Sequence, residues 1–324
     1  MNIGFAGSDN FSLKILSGLT EIIADGSSSM SLVLTIPAKN KGRGKILTET
    51  PISSFSKKNN FVIETIVSGR QVVDSLKDKI SDLDYLIVAS FGYILSQSIL
   101  SLPKHGCINV HPSILPKWRG AAPIQRAIEA GDKVTGVSII KMASNLDAGP
   151  IWGIVEQEIN TNDTYIDLEA KLAKISLQML QKFLSTPYDK IIYNSQNERK
   201  ATYAKKILPY ELKIDWTRPA VEIGRKINAF YPKPCTYTYL NNQRLKLGKA
   251  EVLDHQKFIK KAPGTLLVSK DKKEALLAIY CGSGMLKINL IQKDSGNWID
   301  AKSFINGFKN SGETVLGGKY SGLF

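Results

Sequence analysis

The sequence predicts a two-domain α/β protein: a Rossmann-like first domain on a mostly parallel sheet, then a small OB-like β-barrel domain. Three observations carry this. Apolar runs alternate with amphipathic ones through the first half, the pattern of strands connected by helices. Short strand-like runs separated by turn residues fill the last third. Basic residues collect in that last third, with 21 Lys and Arg against 10 Asp and Glu beyond residue 200.

The first apolar run, over 3–6, precedes helical spacing near 12–23, strands over 32–36 and 62–66, a helix near 72–80 and a strand over 85–89. The turn Gly7-Ser8-Asp9-Asn10-Phe11 lacks the G-x-G-x-x-G spacing that brings backbone onto a pyrophosphate, so no dinucleotide is expected. Further on, Thr164 and Asp167 read as a capping box. Leu168, Leu172, Ile175, Met179 and Phe183 then recur at three or four residues, the stripe of a long amphipathic helix. That helix closes the first domain, placed at 1–190, and the polar stretch 191–208 is expected to link it to a second domain at 209–324. In the second domain Pro219 opens a helix through Ile223, Ile227 and Phe230. Five strands are expected over 236–240, 244–252, 264–269, 276–281 and 286–291, with turn residues between them. An OB-like barrel fits this pattern, and so does a small β-sandwich.

With 43% hydrophobic residues the chain can build a core, which excludes global disorder. Its net charge of +14 sits mostly in the tail, and such a field attracts phosphate polyanions, nucleic acid first among them. A solvated lysine-rich surface gives the same count. Cys107, Cys235 and Cys281 are far apart, with no Cys-x-x-Cys and no His at ligand spacing, so neither a disulfide framework nor a metal site is expected. No run approaches the ~18 apolar residues of a membrane span and no leader pattern is present. A cytoplasmic monomer is the expectation.

The densest chemistry lies between Cys107 and Gly120. In a strand, Asn109 and His111 share a face, and Pro112 ends the run, so the pair stands near a strand's carboxyl end, where open α/β sheets bind ligands. An amide donor beside an imidazole can hold a developing oxyanion or pass a proton. A second strand over 135–142 leads to Asn145-Leu146-Asp147-Ala148-Gly149-Pro150, whose carboxylate, if buried beside the His, would orient it. Taken alone, each is also an ordinary turn or capping residue. No G-x-S-x-G nucleophile is present, which favours direct transfer to an incoming nucleophile.

The runs Asn109-Val110-His111-Pro112-Ser113-Ile114-Leu115-Pro116, Trp118-Arg119-Gly120-Ala121-Ala122-Pro123-Ile124-Gln125 and Leu146-Asp147-Ala148-Gly149 resemble the folate-dependent formyltransferases. Residues 90–95, 202–206, 214–216 and 229–232 follow in the family's order, so the likeness covers nearly the whole chain. The resemblance implies that Asn109, His111 and Asp147 are catalytic, and that Ser113, Ile114, Leu115 and Pro116 bind the folate of 10-formyltetrahydrofolate. The same trio serves family members acting on glycinamide ribonucleotide and sugar nucleotides. Two features resemble the branch that formylates initiator methionyl-tRNA: the 118–125 run and the basic loop 39–45. Lys41, Arg43, Lys45 and Lys206 are thereby implied as tRNA contacts. Gly7-Ser8-Asp9 stands where the family usually has Gly-Thr-Pro, and Pro112 where it often has Gly. A sugar-nucleotide formyltransferase, a formyltetrahydrofolate hydrolase and a non-catalytic RNA-binding protein are the rival readings.

Overall fold

A computed structural model describes residues 1–41, 46–69, 74–253, 261–269, 275–294, 296–308 and 314–317. The chain forms two compact units. The first comprises Met1–Pro123, Val134–Glu158 and Glu169–Lys205; the second comprises Ile124–Lys133, Ile159–Leu168 and Lys206–Phe324.

The first unit is built on a seven-stranded sheet, in the spatial order Ile151–Glu158, Val134–Lys141, Cys107–His111, Tyr85–Ala89, Asn2–Gly7, Ser29–Thr35, Ile63–Thr65. The five strands from Cys107–His111 to Ile63–Thr65 pair in parallel, because helices carry the chain back between them; the other two run antiparallel. Ala6, Leu32, Leu34, Leu86 and Val88 pack one face of the sheet against Leu76 and Ile80 of helix Asp74–Ser81. Helix Asn10–Ile22 starts where the open first turn ends. Asp9 accepts the Ser12 N–H and Ser12 Oγ accepts the Asp9 N–H, both at 2.9 Å. The long helix is Tyr165–Ser185, and Asp167 accepts the Thr164 N–H at 3.0 Å. Gly18 allows it close approach, since a Cβ there would lie 2.3 Å from Leu177 Cδ1. Helices Pro51–Lys58, Gln97–Leu100 and Pro123–Ala130 go beyond the sequence reading. The first of them carries a usable signal: a Thr50 cap followed by proline at the first helical position.

The second unit is a curled antiparallel sheet of six strands. Tyr237–Leu240, Gln243–Leu253, Met285–Lys293, Leu276–Tyr280 and Leu266–Ser269 follow one another across it, and Trp298–Asp300 pairs with Met285–Lys293. Both outer strands bond to residues 314–317: the Leu266 N–H reaches Thr314 O at 2.8 Å, and the Gly317 N–H reaches Tyr239 O at 3.1 Å. Helix Ala220–Phe230 packs Ile223 and Ile227 against Leu245, Leu247, Leu286 and Ile288. The sixth strand and the helix Ala301–Asn306 behind it escaped the sequence reading, because three residues are too few to show a period.

Candidate active site

Loops meet at the carboxyl ends of the parallel strands. The chain leaves Asn2–Gly7 for Ser29–Thr35 on one side and returns to Tyr85–Ala89 on the other, and Ser8 Oγ donates to Ser90 O at 2.8 Å across the switch point. Crevices of this kind are where open α/β sheets take ligands. Strand Cys107–His111 is the next neighbour of Tyr85–Ala89. On it Asn109 and His111 share a face and are buried, 8% and 4% exposed.

The 142–150 turn brings Asp147 to the same place. Its backbone is left-handed at φ +51°, which costs a non-glycine residue about 1–3 kcal/mol and persists only where surroundings enforce it. The carboxylate accepts Asn109 Nδ2–H on Oδ1 at 3.2 Å and the Gly120 backbone N–H on Oδ2 at 2.8 Å. His111 Nδ1 lies 3.7 Å from Oδ2, beyond hydrogen-bond length. The ring is held from its other side, with Nε2 2.9 Å from the Trp118 carbonyl. A carbonyl only accepts, so Nε2 carries a hydrogen, and Nδ1 is the ring nitrogen that faces the carboxylate.

Asp147 thus stands beside His111 with no hydrogen bond between them, and backbone groups hold both. Trp118 and Gly120 are both left-handed, at φ +63° and +121°, and they fold the 112–120 segment back over the strand end. A backbone carbonyl then reaches the imidazole, and a backbone N–H reaches the carboxylate. Only glycine suits position 120, where a Cβ would also lie 2.8 Å from Ala204 O.

Ser113 is fully buried and donates to Lys117 O at 2.6 Å, while Ser138 Oγ donates to Ser113 O and accepts the Leu115 N–H. Ser113 and the buried Leu115 thus fasten the turn, and Ile114 and Pro116 keep partly exposed surface. Of the residues implied for tRNA, Arg43 and Lys45 lie outside the described residues. Lys41 ends the short strand Lys39–Lys41, which pairs with Ile46–Thr48, and Lys206 is exposed on the second unit. Among the described residues no group of three or more His, Cys, Asp or Glu gathers as metal ligands would.

Sequence reasoning missed the segment that frames this cluster. Asn194 pairs with Ile151, Tyr203–Ala204 pairs with Arg119–Gly120, and the Trp118 N–H reaches Thr202 Oγ1 at 2.9 Å. The polar 191–208 stretch, read as a connection, is bonded along the first unit as far as Ala204. Arg119 is buried and grips the exposed Glu198 with two N–H groups, and that guanidinium holds the Glu198 carboxyl below the usual range. The two charges are 79 residues apart, so no local pattern could have paired them.

Residues 1–184 match the family described as Formyl transferase, and residues 206–309 match Formyl transferase, C-terminal domain. The chain is 36% identical to the methionyl-tRNA formyltransferase of Coxiella burnetii, over 98% of this chain and 99% of that one. It is 36% identical to the methionyl-tRNA formyltransferase of Caulobacter vibrioides, over 98% and 100%. The crystal structure of WlaRD, a sugar 3N-formyl transferase in the presence of dTDP and 5-N-formyl-THF, aligns with a TM-score of 0.62. At 18% identity, over 92% of this chain and 99% of that one, it shares the fold. The chain belongs to the methionyl-tRNA formyltransferase family.

Proposed function

We propose that the protein transfers the formyl group of 10-formyltetrahydrofolate to the α-amino group of initiator methionyl-tRNA, giving the N-formylated form used in translation initiation. The full-length relatives support the substrate. The observation that carries the chemistry is the cluster at the end of Cys107–His111: a buried amide, a buried imidazole and a half-buried carboxylate 3.7 Å from its Nδ1.

The folate is a substrate here and supplies an activated formyl carbon. A cluster with hydrogen-bond donors and a proton acceptor but no side-chain nucleophile fits that chemistry. Ile114 and Pro116 would meet the folate with their partly exposed faces. Asn109 spends one of its two amide N–H groups on Asp147, and the other would hold the formyl oxygen as negative charge develops on it. His111 would take the amine's proton on Nδ1. The ring so charged would point its new N–H at Asp147, which stabilises it. As the amine nitrogen bonds to the formyl carbon and the bond from that carbon to the folate nitrogen breaks, the proton would pass from the ring to that leaving nitrogen. An aminoacyl α-amine titrates near ~7–8, so a neutral fraction is present at physiological pH without a stronger base.

The basic second unit and the 39–45 loop, through Lys41, Arg43, Lys45 and Lys206, would meet the tRNA. The same reading makes the protein a cytoplasmic monomer that needs no metal. No helix among the described residues is long and apolar enough to cross a membrane. The test is formyl transfer to charged initiator tRNA beside uncharged tRNA, elongator methionyl-tRNA and an amino-sugar nucleotide. Transfer confined to the initiator is expected; transfer to the sugar, or hydrolysis of the donor without RNA, refutes the assignment.

A further inference from the structure

One side chain outside the cluster holds the backbone of the Asp147 turn. Gln196 Nε2 donates to the carbonyls of Asp147 and Gly149, both at 2.7 Å. Its Oε1 accepts from Arg119 Nη2 at 2.7 Å and from Arg119 Nε at 3.2 Å. Two donated and two accepted bonds use the whole capacity of a primary amide. They also fix which way it points, since carbonyls require its nitrogen and a guanidinium requires its oxygen. Arg119 is locked in turn, 2% exposed, with Nη1 and Nη2 on Glu198 at 2.8 and 2.7 Å.

The next residue, Gly120, gives its N–H to Asp147 Oδ2. Two consecutive residues thus grip Asp147 at both ends, Gly120 at the carboxylate and Arg119 at the main chain through Gln196. One nitrogen shared by the carbonyls of residues 147 and 149 holds the peptide group that follows the left-handed Asp147 and so fixes the turn on that side of it.

We propose that Gln196, backed by Arg119, is a positioning residue for formyl transfer: it holds Asp147 in the turn that aims its carboxylate at Asn109 and His111. This rests on the reading of Asp147 given under Proposed function. Gln196 does not touch the reacting atoms, so its loss misplaces Asp147 and leaves substrate binding intact.

The test uses the full-length chain and four variants: Gln196→Glu, Gln196→Met, Asp147→Asn and the double variant Asp147→Asn with Gln196→Met. Gln196→Glu keeps the acceptor for Arg119 but, ionised, offers the two carbonyls no donor. Gln196→Met keeps the length with no hydrogen-bonding group, and reads the same loss should a charge at 196 disturb folding. Either substitution is expected to lower kcat roughly 10- to 100-fold, because small misplacements of a catalytic group cost on that order, with KM for both substrates within about 3-fold. On the Asp147→Asn background, Gln196→Met is expected to cost less than about 3-fold more, since the two act through one group.

An unchanged kcat in both Gln196 variants, with Asp147→Asn impaired, overturns the positioning role and leaves the reading of Asp147 standing. Full additivity in the double variant does the same. A KM rise that matches a fall in melting temperature makes Gln196 a structural residue only. Near-normal turnover of Asp147→Asn removes the reading of Asp147, and the positioning role with it.

Discussion

Two buried asparagines, one in each unit, do opposite things with the same amide. Asn228, 3% exposed in helix Ala220–Phe230, closes on the Ala250 backbone, giving Nδ2–H to its carbonyl at 2.9 Å and taking its N–H on Oδ1 at 2.8 Å. Asn109 gives one N–H to Asp147 and retains a second donor beside an imidazole whose Nδ1 has no hydrogen-bond partner among the described residues. Burial of a polar side chain therefore does not distinguish structure from chemistry; a donor left open beside an imidazole and a carboxylate at a strand's carboxyl end does. In the second unit Trp216 Nε1 likewise closes on Thr238 Oγ1, while Thr236 Oγ1, Arg244 Nε and Thr265 Oγ1 are buried there without a hydrogen-bond partner among the described residues. The first unit holds open capacity at a strand end.

The contrast can be broken most sharply at the two asparagines. Removing an oxyanion donor costs about 2.7–4 kcal/mol of barrier, so Asn109→Ala should turn over roughly 100- to 1000-fold more slowly, with its melting temperature little changed. Steady-state formylation kinetics beside a thermal melt read both quantities. In Asn228→Ala the Ala250 N–H and C=O lose their partners inside the core. Stability should fall by about 1–3 kcal/mol while turnover of the folded fraction stays near the parent's. Equal effects of the two substitutions on turnover would erase the distinction.

The ion pairs sharpen the comparison at smaller scale. Arg126 holds Glu211 in the second unit at 2.8 and 3.1 Å and keeps its carboxyl below the usual range. A folded pKa below the unfolded one adds stability that is present above the unfolded value near ~4.3 and is lost as pH falls through the folded value. Glu211→Gln should therefore be less stable than the parent at pH 7 by about 1 kcal/mol, and the gap should narrow as pH falls from ~4.3 and close through the lower folded value. A gap independent of pH would mean that the pair contributes through packing. The smallest effect is expected at Lys206, exposed on the basic unit. Lys206→Ala should weaken tRNA binding a few-fold and reduce the slope of log affinity against log salt by about 0.7–0.9 if it meets one phosphate. An unchanged slope would remove it from the interface.

Much of the site was legible because it is local. The two-residue strand period put Asn109 and His111 on one face, and Pro112 fixed where the strand stops. The capping box at Thr164 and the stripe from Leu168 to Phe183 marked the long helix for the same reason. What escaped depends on distant backbone. The Trp118 carbonyl on the imidazole and the Gly120 N–H on Asp147 follow from two left-handed residues, and neither carries a sequence pattern beyond one glycine. Gln196 bonds to Asp147 and Gly149 across nearly fifty intervening residues, so a polar segment with no period reads as a connection. Ser113, implied as a folate residue, has its hydroxyl spent on Lys117 O, and that bond is visible only once the turn is folded.

The central claim is that one carboxylate, that of Asp147, held by Asn109 and the Gly120 backbone and facing His111, organises formyl transfer. Single-turnover formylation of initiator methionyl-tRNA by Asp147→Asn, with both substrates saturating, tests it most directly. The account predicts a transfer rate at least about 100-fold below the parent's, at an unchanged melting temperature. A rate within a factor of about three, in a folded protein, would contradict it.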